Sequence, residues 1–307
     1  MLPLVFAASV MVIAVVTIAF WSTNGGANGH TSAVITEPPP GPDASTGTVE
    51  VSCGRNGEGH HNMDNLVTSP GTHDGAHHLH DYVGNLSTDA FSTEKSLAAA
   101  ATTCTNGDRS VYYWPVLRLL DGAGGHQHGD SGDGNNGTII EPSSVRITYH
   151  GSPISPVVAM PRFLRVSTGD AHAVTNGPRP FARVQWGCSG QSQRRLSDQY
   201  PQCPAGEQVT RSFEFPSCWN GLTTDSETHR KHVVFPADNG VCQDGFFAVP
   251  ALRIELAYDL PGGRQFAIDT FPEEQRSART DHSDFIDVMT DEQMAHVVTC
   301  LNTGQHC

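Results

Sequence analysis

A mainly β fold, a disulfide-stabilised β-sandwich or jelly-roll-like core with peripheral helices, is what the sequence predicts, on three observations. Strand-like runs outnumber helical ones. Turn formers are abundant, with 31 Gly and 20 Pro among 307 residues. Eight cysteines, an even number, suit a loop-rich domain stapled in an oxidising compartment. Helices do not alternate with strands as a doubly wound parallel sheet requires, although an α+β arrangement stays compatible with the pattern.

In chain order, residues 1–21 come first. Leu2 to Trp21 is uncharged, apolar and long enough to cross a bilayer, so it reads as a signal or transmembrane segment. Residues 22–47 are rich in Pro, Gly, Ser and Thr and read as a tether. One domain, residues 48–307, is expected to follow. Its strand candidates are Val111 to Leu119, Val145 to Tyr149, Phe163 to Ser167, Val184 to Cys188, Val209 to Phe215 and the alternating run Leu252, Ile254, Leu256, Tyr258. Val233-Val234-Phe235 reads as a short buried strand. A helix is predicted over Thr93 to Ala101 with Ser92 as its cap. A second begins at Thr290, where Gln293 completes a capping box and Met294, Val297, Val298 and Leu301 share one face. Gly122 to Gly137, with His126 and His128, reads as a surface loop.

The formal net charge is −14, and Lys95 and Lys231 are the only lysines. Such a surface repels phosphate backbones, so nucleic acid is excluded as a partner. No cysteine pair has CxxC spacing, which argues for disulfides over a cysteine zinc site. Nor is there a Gly-x-Ser-x-Gly elbow, an HExxH, a GxGxxG loop or a P-loop.

Sixteen histidines are the unusual feature. His78 and His80 are two apart, so on an extended segment both imidazoles reach one ion, with Asp81 a candidate to orient them. His229 and His232 are three apart, the spacing of one face of a helical turn. His282 and Asp284 alternate like the first pair. Imidazole and carboxylate are donors that a divalent cation takes, zinc first among them. The metal set expected is therefore His78, His80, His229 and His232, with His282 a further candidate ligand. Asp284, His282 and Asp170 are the catalytic candidates, Asp284 as ligand or general base. Trp114, Tyr113 and Trp219 are candidates for a sugar-binding groove.

The chain resembles the DUF1996 family of exported actinobacterial and fungal proteins. The resemblance lies in Ser69-Pro70-Gly71 leading to His78-Leu79-His80-Asp81, in Tyr113-Trp114-Pro115-Val116-Leu117, and in Gly169-Asp170. It continues through Trp186-Gly187-Cys188, Phe215 to Gly221, Ser226 with His229 and His232, and His282 with Asp284. Asn62-Met63-Asp64-Asn65 departs from the Arg-x-Asp-Pro usual there. The resemblance implies that the three histidine motifs belong to one fold, without implying a reaction. The function expected from the sequence is an exported or membrane-anchored, metal-dependent hydrolase or lyase acting on extracellular or cell-envelope polysaccharide. The alternative is a non-catalytic carbohydrate or cell-wall binding module whose histidines are structural.

Overall fold

The computed structural model describes residues 38–120, 134–177, 183–190 and 195–307. The apolar segment Leu2 to Trp21, most of the tether, and His126 and His128 lie outside the described residues. In chain order the first strands are β1 (Thr48–Val51), β2 (His61–Asn62) and β3 (His80–Gly84), followed by helix α1 (Glu94–Ala99). Next come β4 (Val111–Pro115), β5 (Leu117–Leu119), β6 (Thr138–Ile140), β7 (Ser144–His150) and β8 (Arg165–Gly169). They are followed by β9 (Val184–Cys188), β10 (Val209–Glu214), β11 (Cys218–Trp219), β12 (Val233–Val234) and β13 (Phe247–Ala248). The last elements are β14 (Ala251–Tyr258), β15 (Phe266–Ile268), β16 (His282–Ile286) and helix α2 (Asp291–Asn302).

Two five-stranded antiparallel sheets form the body, in the orders β1-β7-β14-β10-β9 and β2-β3-β4-β16-β8. Two small three-stranded sheets, β12-β11-β13 and β15-β5-β6, flank them. Alternation sets the inner faces. Ile147 and Tyr149 of β7 and Leu252, Ile254 and Leu256 of β14 are buried from one side. Val83, Tyr112, Trp114, Val166 and Phe285 join the same core from the other sheet. Phe285 packs on Tyr112 at 5.2 Å between ring centres, and the Tyr112 and Tyr149 hydroxyls meet across the core at 2.8 Å.

The outer face of the second sheet is also covered. Leu66, Val67, Leu97 and Val288 close over Tyr82, Val111, Tyr113 and Ile286 in a smaller core. Every residue of β3, β4 and β16 is consequently buried. Polar groups on these strands must find partners inside the protein or hold a ligand.

Both helices form with caps. Thr290 and Gln293 make the predicted capping box, and Met294, Val297 and Leu301 are buried. The first helix is capped by Thr93 with Ser96 and not by Ser92, because the Ser92 hydroxyl instead donates to the Ser87 carbonyl at 2.7 Å. The last residues of the expected tether are docked on the body. Gly41, Ser45 and Gly47 donate backbone hydrogen bonds to Pro153, Ser152 and Leu301. All eight cysteines pair, as Cys53–Cys104, Cys188–Cys203, Cys218–Cys242 and Cys300–Cys307. Four disulfides fit an extracellular setting. Among the described residues, no helix is long and apolar enough to cross a membrane.

Candidate metal centre

β16 carries His282 and Asp284 on the same side, and its register is fixed at both edges. Opposite His282 on β8 lies Gly169, at φ +80°, where a Cβ would lie 2.2 Å from the Asp281 carbonyl oxygen. Only glycine allows that approach. Just ahead of β16, Asp281 accepts two hydrogen bonds from the fully buried Arg211, at 3.1 and 2.6 Å. Arg211 also donates to the Pro115 carbonyl at 3.0 Å, so the pair locks β10, β4 and β16 together at the start of the site strand.

His80 projects from the first residue of β3. His78 precedes that strand, after His77 at φ +54° has turned the chain. Their rings meet the ring of His282. The Nε2 atoms of His78 and His282 are 3.3 Å apart, and those of His80 and His282 are 3.4 Å apart. One ligand atom from each of the three residues lies within 4.8 Å of the other two.

Hydrogen bonds on the far side of two rings fix where their protons are. His80 Nδ1 contacts the Asp64 carbonyl at 3.1 Å, and His282 Nδ1 contacts the Thr280 carbonyl at 2.8 Å. A carbonyl only accepts, so both Nδ1 atoms carry hydrogen and both Nε2 atoms present lone pairs. The His80–His282 contact therefore faces lone pair against lone pair. Protonation is a poor remedy. Burial pushes His78 and His80 well below the ordinary histidine value and lowers His282 too; neighbouring imidazoles depress His78 and His80 further. Asp284 partly offsets this at His282. On His78, Nδ1 is buried and has no hydrogen-bond partner of normal geometry, although the Ala76 backbone gives a weak raising effect.

The three ligand atoms are grouped closely enough that they could hold a metal ion. Zinc–imidazole bonds of about 2.0–2.1 Å in tetrahedral geometry place the nitrogens about 3.3–3.4 Å apart, the separations of the His78–His282 and His80–His282 pairs. The Asp64 and Thr280 carbonyls do for these rings what outer partners commonly do for metal-bound histidines, fixing tautomer and orientation.

Asp284 lies beside the cluster as a held acceptor. Its Oδ1 accepts a short hydrogen bond from the Ser167 hydroxyl, and its Oδ2 accepts from Asn65 Nδ2 at 3.0 Å. Asn65 cannot be turned around, because its Oδ1 already accepts from the Tyr113 hydroxyl at 2.7 Å and from the amides of Val67 and Thr68. His78, His282 and Asp284 open onto a cavity of about 370 Å³, walled also by Asp170, His172, His229, Arg230 and Phe271.

The ligand set expected from sequence is thus rearranged. His78 and His80 converge, but their third partner is His282. His229 stands on the cavity wall, with Nδ1 on Asp225. His232 has both nitrogens engaged, Nε2 with the Arg165 carbonyl at 2.6 Å and Nδ1 with the Ser226 hydroxyl at 3.0 Å, so it has no lone pair to give a metal. Asp81 does not orient the histidines. Strand alternation turns it to the opposite face, where it meets His61 at 2.7 Å and Asn56 at 3.0 Å. Trp114 and Tyr113 are fully buried and cannot reach a sugar, whereas Trp219 is half-buried with its indole N–H on the Thr223 carbonyl. Asp170 does line the cavity. Asn65, Ser167 and Asp225 were not among the expected residues. Ser167 lies directly across from Asp284 in the β8–β16 register, a signal available only once that pairing is known.

Fold and site together define a class: a disulfide-stapled antiparallel β-sandwich with a buried three-histidine cluster at the floor of a cavity. The domain of unknown function DUF1996 matches residues 64–287, which include every residue of the cluster and its carbonyl supports. The chain belongs to that family. No curated protein and no solved structure matches it.

Proposed function

We propose that this chain is an exported metal-dependent enzyme, a hydrolase or lyase, whose zinc-like cation is held by Nε2 of His78, His80 and His282. The reading is carried by the His80–His282 contact, two lone pairs at 3.4 Å in a buried site that disfavours protons. Bound there, a divalent cation would supply Lewis acidity and an acidified water. Three protein ligands leave a further coordination position, the pattern of catalytic rather than structural zinc. The chain's own contribution is to orient two imidazoles through backbone carbonyls and to keep the Asp284 carboxylate at the cavity floor.

Extracellular polysaccharide is the proposed substrate class. Thr68, Ser69, Asn176 and Thr228 bring hydroxyl and amide groups to the cavity, and Phe271 brings one apolar ring face. That mixture matches the alternating hydroxyl and C–H surfaces of a sugar. The cavity, about 370 Å³, lies at the small end of the range of ligand pockets, which suits the end of a chain or a single bond site.

The test is metal content after zinc reconstitution. One equivalent is expected in the native chain and none in His282→Ala. At free zinc about a thousandfold above its dissociation constant, binding should add about 4 kcal/mol of stability, removable by chelator. A folded protein that takes up no stoichiometric metal refutes the reading. With metal confirmed, glycan cleavage by the loaded native chain and not by His282→Ala would establish the substrate class.

A further inference from the structure

We propose that His229 is the proton-transfer residue of this cavity, held by Asp225 and directed at substrate rather than at the cation. This rests on the metal-dependent reading above. His229 Nδ1 lies 2.9 and 3.1 Å from the two carboxylate oxygens of Asp225. A carboxylate accepts, so Nδ1 carries the hydrogen and Nε2 is left as the basic atom. The ring lines the same cavity as His78, His282 and Asp284. Yet it is absent from the group of ligand atoms that meet within 4.8 Å. A second imidazole function, separate from metal binding, therefore shares the cavity.

The backbone supports the assignment. His229 sits at φ +55°, in the left-handed region that non-glycine residues adopt only a few per cent of the time. Its turn is built around that position. The His229 amide donates to the Ser226 carbonyl at 2.8 Å, the Ser226 amide to Asp225 Oδ1 at 2.7 Å, and the Lys231 amide to the Ser226 hydroxyl at 3.1 Å. An outlier fixed by so many bonds, placing one ring on a cavity wall, points to a role for that ring. The charged and titratable groups around it are Asp225, Arg165 (3.9 Å from Asp225), Arg230 and His232, with Asp170 and His172 also lining the cavity.

In hydrolysis the water oxygen bonds to the electrophilic centre of the substrate, and the bond to the leaving group breaks. The water proton passes to His229 Nε2 and then to the leaving group. Asp225 stabilises the imidazolium formed between those transfers. The balance needs water and substrate only, with no oxidant or reductant.

The experiment uses the full chain loaded with one equivalent of zinc and two chromogenic probes matched to a polysaccharide substrate, a 4-nitrophenyl glycoside for the glycosidic bond and 4-nitrophenyl acetate for an ester substituent on the sugar. The native protein is expected to turn over at least one probe faster than free zinc. H229Q should keep its full zinc equivalent, lose about 100-fold or more in kcat, and change the dependence of rate on pH. D225N, a milder change at a partly exposed residue, should keep zinc and lose about tenfold, consistent with an orienting partner. The proposal is overturned if H229Q loses zinc, since His229 would then be a ligand. It is equally overturned if both variants keep native rates and pH profiles, or if the loaded native chain hydrolyses neither probe. A native chain that binds no zinc fails at the loading step, before any rate is measured, and that failure belongs to the metal reading alone.

Discussion

One sheet, β2-β3-β4-β16-β8, has two faces made by alternate residues of the same strands, and they are built by opposite rules. Toward the sandwich core it shows Val83, Tyr112, Trp114, Val166 and Phe285. The other face is divided: Tyr82, Val111, Tyr113 and Ile286 belong to the smaller apolar core, while His80, Ser167, His282 and Asp284 form the site, of which His282 and Asp284 line the cavity. Both faces are buried. The first is held by apolar area removed from water. The second adds donor–acceptor matching to its smaller apolar core: Tyr113 to Asn65 to Asp284, Ser167 to Asp284, and imidazoles to carbonyls. What stays unmet at the histidines is the His80–His282 contact, lone pair against lone pair, and the unpartnered Nδ1 of His78. Such a buried arrangement is what supports the proposed metal site.

The comparison is broken most severely from the core side. Trp114→Ala removes a fully buried indole from between the sheets and is expected to cost about 3–5 kcal/mol, read by denaturant unfolding. The folded fraction should still take up metal, because the Trp114 side chain belongs to the sandwich core, on the face opposite the histidines. If metal uptake collapses while the fold survives, the two faces are coupled and do not act separately.

A change on the cavity face should do the reverse. Asp284→Asn keeps the shape and both hydrogen-bonding neighbours, since the Ser167 hydroxyl can rotate to accept. It removes the charge that favours the cationic state of the His282 surroundings. Metal affinity is expected to fall about 10- to 100-fold, with unfolding of the metal-free protein nearly unchanged. Isothermal titration with zinc, beside a melt in chelator, separates the two. An unchanged affinity would remove Asp284 from the site.

Sequence alternation made half of this legible. His-x-His and His-x-Asp each announce a shared face, and His80 with Asp284 and His282 do share one. The capping box at Thr290 and the strands Val184–Cys188 and Ala251–Tyr258 were equally readable, being local. What was illegible is long-range. Val111 to Leu117 is apolar or aromatic at nearly every position because both faces are buried, so no periodicity told Trp114 apart from a binding-groove aromatic. His229 and His232 look like a helical pair by spacing. Their fates were decided by a left-handed turn and by the Arg165 carbonyl, neither visible without the fold. Asn65 and Ser167 are ordinary polar residues until β16 is laid beside β8.

The sharpest small test lies at the end of β16, where the two kinds of burial meet. Asp287 is buried beside Asp108, with Oδ1 accepting from the Met289 amide at 3.2 Å and Oδ2 lacking a partner. Burial, then repulsion from Asp108, holds its carboxyl well above the usual carboxylate range, and burial raises Asp108 as well. The sign follows from proton counting. Between the unfolded value of about 3.9 and the raised folded value, the native state binds the extra proton, so stability falls as pH rises through that window. At neutral pH the folded protein therefore carries an uncompensated cost. Asp287→Asn should stabilise by an amount on the order of 1 kcal/mol at pH 7, the scale of an unsatisfied buried polar group. The gain should shrink toward zero below about pH 4, where the native carboxyl is already neutral. Unfolding curves across that range read it directly. A gain that persists in acid would mean that packing, not charge, separates the two side chains.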